Sequence, residues 1–117
     1  MSSPILNQVG AIFIPVQDIE QARDWYSNIL GLPVEGDILH GHLYILPMLG
    51  TGVVLDSKIY APGRTFQTPA FHFNTEHIEE AYEFMQKHQV KLLTPIEHGH
   101  WFNFEDPDGN MLMICKC

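Results

Sequence analysis

The chain repeats itself at a spacing of 59 residues: Ile19-Glu20-x-Ala22 recurs as Ile78-Glu79-x-Ala81. At that spacing Ile12 and Ile14 fall on Phe71 and Phe73, Trp25 falls on Phe84, and Leu43 and Ile45 fall on Phe102 and Phe104. Few of these are identities, but the order of elements repeats: strand, helix, then three strands. One βαβββ unit leaves a face of its sheet bare. Two copies related by a pseudo-twofold can curve their mixed sheets into a cup with the helices outside, an α+β fold. Such a cup is where a small ligand would bind. The 117 residues make one domain, with module one over about residues 8–56, a linker over about 57–69 and module two over about 70–117.

The local signals fit this division. Val9–Val16 is apolar on both faces and reads as a buried strand. Asp18 is a helix N-cap with Gln21 at capping-box spacing. Ile19, Ala22, Trp25, Tyr26, Ile29 and Leu30 then form one apolar stripe. Gly31 ends the helix and Pro33 keeps it ended. Short strands are expected at about Val34–Ile38, His42–Leu46 and Gly52–Asp56. Ser57–Pro69 has no clean period and reads as the linker, or as a loop covering a ligand. Ala70–Asn74 opens the second half. A helix starting at Thr75 or Glu76 carries Ile78, Ala81, Tyr82, Met85 and His88 on one stripe, and Val90–Thr94 follows as a strand. In Trp101–Cys115, Phe102 and Phe104 alternate with Trp101, Asn103 and Glu105 before Asp106-Pro107-Asp108-Gly109 turns the chain into an apolar last strand.

A formal net charge of −8 argues against nucleic acid as a partner and favours a cationic or neutral ligand. No apolar run approaches the ~20 residues needed to cross a bilayer, so no membrane partner is expected. The opening MSSPILNQ lacks the pattern of a signal peptide, so a cytoplasmic protein is expected. Cys115 and Cys117, two apart on a strand, would lie about 6.6 Å apart at a rise of roughly 3.3 Å per residue. That suits a disulfide poorly, and two reduced thiols are expected. A Cys-x-Cys pair alone also falls short of a structural zinc site, which wants four ligands.

The segments VGAIFIPVQDIEQARDWYSNILGLPV and FEDPDGNMLMIC, with the repeat, resemble the vicinal oxygen chelate superfamily of glyoxalase I, bleomycin-resistance proteins and extradiol dioxygenases. The resemblance implies paired βαβββ modules and, in the enzymes, a divalent metal on the cup floor. It also implies where the ligands would stand: seven residues before the capping Asp, at the matching place in module two, and four residues after the turn glycine. Here those positions hold Ala11, Ala70 and Met113, and the fourth falls near Val54–Asp56, where only Asp56 can bind a metal. A methyl offers no lone pair and a thioether is a soft donor suited to copper(I). No cofactor is therefore expected. The resemblance favours the bleomycin-resistance branch, which sequesters a small molecule, and a homodimer, as family members often pair modules across subunits.

Strand alternation predicts the lining of the cup. With Ala11 and Ala70 inward, so are Phe13, His72 and Asn74; with Met113 inward, so are Met111 and Cys115. Trp101, Asn103 and Glu105 face the cup if Phe102 and Phe104 pack under a helix, and His42 and Tyr44 follow by the same logic. The expected ligand-binding residues are Phe13, His42, Tyr44, His72, Trp101, Asn103 and Met113, an aromatic and thioether wall with His72 and Asn103 as polar anchors. The alternative is a metal-dependent glyoxalase-like lyase or dioxygenase using a displaced set, His42, His72 and Glu105. No catalytic residue is assigned.

Overall fold

The structure is a computed structural model that describes residues 3–117. β1 (Ala11–Pro15) leads into α1 (Ile19–Leu30), followed by β2 (Leu43–Ile45) and β3 (Gly52–Asp56). β4 (His72–Asn74), α2 (Ile78–Lys87), β5 (Lys91–Leu92), β6 (Trp101–Glu105) and β7 (Met111–Cys115) repeat the order. The strands form two open mixed sheets, β1-β3-β2 and β4-β7-β6-β5. In each sheet the first strand runs parallel to the last strand of its half, and the other pairings are antiparallel.

The caps of α1 are those the sequence predicts. The Asp18 carboxylate accepts from the Gln21 backbone N–H at 3.0 Å, and Gly31 takes the left-handed conformation that closes the helix. α2 begins later than expected. Thr75 does not cap it; its Oγ1 accepts from the His77 N–H at 3.2 Å, and that local turn holds the chain out of the helix until Ile78. His88 sits at the C-terminal cap and is exposed, off the buried stripe.

Both helices pack on one side of the sheets. Ile14, Tyr44, Val53 and Leu55 of the first sheet and Phe73, Phe102, Phe104, Leu112 and Ile114 of the second join a single core with Ala22, Tyr26, Ile78 and Met85. Tyr82 meets the Phe102 ring edge-on at 5.0 Å between centroids. The β6–β7 turn locks the halves together. Asn110, fully buried, donates from Nδ2 to the Pro15 carbonyl at 2.8 Å and to Asp106 Oδ2 at 2.9 Å, and its Oδ1 accepts from the Phe66 N–H at 2.9 Å. Gly109 in this turn has φ +91°, a backbone angle that side-chain-bearing residues rarely adopt.

Three further expectations fail. Val34–Ile38 is not a strand. Gly36 turns the chain there, and the Tyr44 hydroxyl donates to the Glu35 carbonyl at 2.7 Å and accepts from its N–H at 3.3 Å, using groups a sheet neighbour would need. Cys115 and Cys117 are not separate thiols but a disulfide; the chain leaves the extended conformation at the end of β7, drawing their Cα atoms to 5.4 Å. Tyr44 does not face the cup. It pairs with Leu55 and lies 1% exposed on the helix side, whereas Leu43 and Ile45 take the other face. The cause is a slip in the repeat: the bridges Leu39–Leu43 and Glu97–Trp101, and the left-handed residues His40 and His98, stand 58 residues apart rather than 59. A one-residue slip turns every side chain of a strand to the opposite face.

Candidate functional site

The face of the sheets turned away from the helices gathers most of the expected lining. Register places Ala11, Phe13, Ile45, Val54 and Asp56 on it in the first sheet. In the second sheet His72, Met113 and Asn103 form one rung, Asn74, Cys115 and Trp101 the next, and Met111 pairs with Glu105. Phe13 and Ile45 are 48% and 53% exposed there. Ala70 precedes β4 and is exposed, so His72 rather than Ala70 stands on the Met113 rung.

The polar residues on this face, and His42 in the turn before β2, divide into committed and uncommitted groups. His42 Nδ1 lies 3.0 Å from Asp56 Oδ1, and that oxygen also accepts from the Lys58 N–H at 2.9 Å. Glu105 pairs with Lys91 at 3.3 Å. The Trp101 indole N–H donates to Glu97 at 2.9 Å, fixing the ring. His42, His72 and Glu105 are therefore not drawn together into a metal set; the first and third already have partners on different sheets. Asn103 Oδ1, by contrast, is buried and has no hydrogen-bond partner. Such an acceptor calls for a donor from water or a ligand.

A cleft of about 640 Å³ opens between the edge strands β1 and β4. Leu30, Leu32, Met48 and Phe71 give it apolar walls, and His72 and Asn74 line it as well. Its size falls in the range of small-molecule sites. Of the seven expected ligand residues, only His72 lines this cleft. His72 thus stands where the cleft meets the helix-free face. The cleft walls from Leu30–Leu32 and Pro47–Thr51 were not anticipated from sequence, because they are loop and helix-end residues outside the strand alternation.

One phenol and one carboxyl near the β6–β7 turn have displaced acidities. Burial, reinforced by the Asp106 carboxylate, pushes the Tyr26 phenol well above its usual range. Burial also raises the Asp108 carboxyl, helped by Asp106 and Asp18 and opposed by the Gln17 backbone N–H. Tyr26 donates to Asp106 in the β6–β7 turn, and Asp108, half-buried, lies beside Gln17 and Asp18 at the start of α1.

With fold and site in view, the chain belongs to the glyoxalase/bleomycin resistance protein/dioxygenase superfamily, whose sequence profile matches residues 6–114. A member of this superfamily from Sphaerobacter thermophilus superposes with a TM-score of 0.74 at 28% identity, over 96% of this chain and 98% of that one. An uncharacterised protein of Bacillus subtilis, YetH, is 25% identical, covering 94% of this chain and 98% of its own length. TnmS3, an antibiotic-binding protein from a Streptomyces species, shares the fold with a TM-score of 0.74 at 22% identity, over 95% and 96% of the two chains. Among the described residues, no helix is long and apolar enough to cross a membrane.

Proposed function

We propose that this protein binds a small aromatic or hydrophobic molecule at His72, without the His and Glu metal set of the family's enzymes. The observation that carries this reading is the composition of the helix-free face. Phe13 and Ile45 lie half-exposed in the first sheet, Met111, Met113 and the fixed Trp101 ring lie on the second, and the unpartnered Asn103 oxygen shares a rung with His72. Apolar area supplies affinity, and a few polar groups supply orientation. TnmS3 supports the reading as a fold relative that binds an antibiotic. The net charge of −8 favours a cationic ligand. The same exposed apolar face supports a homodimer in which a second chain covers it. A metal-dependent lyase or dioxygenase on His42, His72 and Glu105 is the weaker reading, because Asp56 and Lys91 already occupy two of its three members.

The test is a titration of the full chain with proflavine, a planar aromatic cation, and with anilinonaphthalene sulfonate, a planar aromatic anion. Proflavine is expected to quench Trp101 fluorescence and raise Tm, and to bind more tightly than the anion. His72 is exposed on β4, so His72→Ala is expected to weaken proflavine by about 0.5–1.5 kcal/mol, the net range for one hydrogen bond. No shift in Tm or fluorescence with either dye overturns the proposal.

A further inference from the structure

The disulfide at the end of β7 does not stand alone. The ligand-capable atoms of His72, Cys115 and Cys117 all lie within 4.8 Å of one another. None of the three stands at a position where the family resemblance puts a metal ligand, and this inference does not rest on the small-molecule reading. From these positions we propose a redox-gated site for a thiophilic divalent cation of the zinc class, closed when the cysteines are joined and open when they are reduced.

The backbone fixes all three members. Cys115 and His72 share the helix-free face on neighbouring parallel strands, with His72 opposite Met113 and Asn74 opposite Cys115. The Cys115 carbonyl accepts from the Thr75 N–H at 3.0 Å, which ties the end of β7 to the end of β4. The residue between the cysteines is held from the other side. The Lys116 N–H donates to the His100 carbonyl at 2.7 Å, and His100 Nδ1 lies 3.0 Å from the Lys116 carbonyl. Cys117 is therefore delivered to His72 by an anchored segment.

The chemistry of the set fits the cation. Two thiolates and one imidazole match the borderline-soft preference of zinc, and three protein ligands leave a fourth position for water or an exogenous donor. In a tetrahedral site with Zn–S near 2.3 Å and Zn–N near 2.0–2.1 Å, ligand atoms sit roughly 3.5–3.8 Å apart. The His72 nitrogen lies within 4.8 Å of both sulfurs, and the sulfurs must part from bonding distance to reach that spacing. Cys117 is exposed and can move outward, whereas Cys115, 1% exposed, stays fixed. The negative charge of the chain further favours a cation.

The gate is a balanced exchange. A dithiol reductant attacks the Cys115–Cys117 bond, forms its own cyclic disulfide, and delivers two electrons and two protons to leave two protein thiols. Binding one divalent cation then releases the two thiol protons to solvent as the thiolates coordinate. Reoxidation by a small-molecule disulfide reverses the exchange, re-forms the bond and expels the ion.

The test uses the full chain, reduced with dithiothreitol and desalted without air, and an oxidised sample in parallel. Both are titrated with Co²⁺, which reports thiolate ligation by charge-transfer absorption and tetrahedral geometry by intense visible bands. The reduced protein is expected to take up one Co²⁺ per chain with both signatures, to lose them when Zn²⁺ is added, and to show neither when oxidised. Cys117→Ser, at an exposed position, and His72→Ala are each expected to weaken binding at least tenfold, with circular dichroism unchanged. Absence of the charge-transfer band in reduced protein overturns the proposal. So does equal uptake by the oxidised sample, or an affinity that His72→Ala leaves unchanged.

Discussion

Tyr26 on α1 and Asp106 in the β6–β7 turn, 80 residues apart, share a buried hydrogen bond in which the tyrosine hydroxyl donates to Oδ2. The bond joins the first half of the chain to the turn of the second. Removing the hydroxyl in Tyr26→Phe leaves Asp106 Oδ2 with Asn110 Nδ2 at 2.9 Å, so the carboxylate is not stranded. The expected loss is about 1.5–3 kcal/mol, the range for a hydrogen bond to a charged group, read from urea unfolding. The pH dependence follows from burial, which raises the phenol above its usual range. The unfolded chain's tyrosine ionises near pH ~10 while the folded one keeps its proton. This stabilisation is therefore intact below about pH 10 and is lost as pH climbs beyond it. Wild type is expected to lose its advantage over Tyr26→Phe when unfolding is measured at alkaline pH; a constant difference between the two would refute the assignment.

Asn110 is the tighter lock. Its side chain serves Pro15, Asp106 and Phe66 at once, from a fully buried position. Asn110→Ala strands the Pro15 carbonyl and the Phe66 N–H, at a cost of about 1–3 kcal/mol each, and is expected to lower the urea midpoint more than Tyr26→Phe does. Asn110→Asp is expected to be at least as damaging. It replaces the donating amide with an acceptor facing the Asp106 carboxylate and the Pro15 carbonyl.

Asp108 works against the fold at neutral pH. Burial, with Asp106 and Asp18 nearby, raises its carboxyl above the ordinary 3.8. A group that binds its proton more tightly when folded stabilises the native state below the unfolded pKa and ceases to do so as pH rises through the folded one. Asp108→Asn removes the charge and keeps an oxygen for the Gln17 N–H. The variant is expected to be more stable than wild type at pH ~7 and to lose that margin as pH falls toward ~4. Thermal unfolding across that range measures it, and a margin that grows on acidification would contradict the assignment.

The sequence displays those parts of the fold in which one residue determines one local geometry. Asp18 and Gly31 bracket α1, and the Asp-Pro-Asp-Gly turn sets the register of β6 against β7, so the facings of Trp101, Asn103 and Met113 can be counted from there, while that of His72 follows from alternation along β4. Tyr44 was misplaced because the count was carried through a repeat whose spacing changes. The paired motifs His40-Gly41-His42 and His98-Gly99-His100, 58 residues apart, carry the signal of that slip. The missing strand at Val34–Ile38 was illegible for another reason. Its backbone groups are taken by a side chain nine residues away, an interaction no periodicity reports. His72 meeting Cys115 and Cys117 depends on which strands are neighbours, and the β4–β7 pairing is a long-range contact that neither segment announces alone.

The helix-free face itself yields the last prediction. Phe13 and Ile45 cost the isolated chain less to change than a core residue, because half of each already meets water. Their exposed area matters if a second chain or a ligand covers it. Phe13→Glu and Ile45→Glu are each expected to cost about 1 kcal/mol in unfolding at low protein concentration, half of a full burial contribution. At higher concentration the wild type is expected to sediment as a dimer and both variants as monomers, since a buried carboxylate without a partner opposes association. Proflavine binding is expected to separate the two roles of the face. An exposed wall that touches ligand within one chain would lose affinity in the variants even under conditions where wild type is monomeric, whereas a wall completed only by the partner would lose it with the dimer. Variants that dimerise and bind proflavine as wild type does would remove this face from both roles.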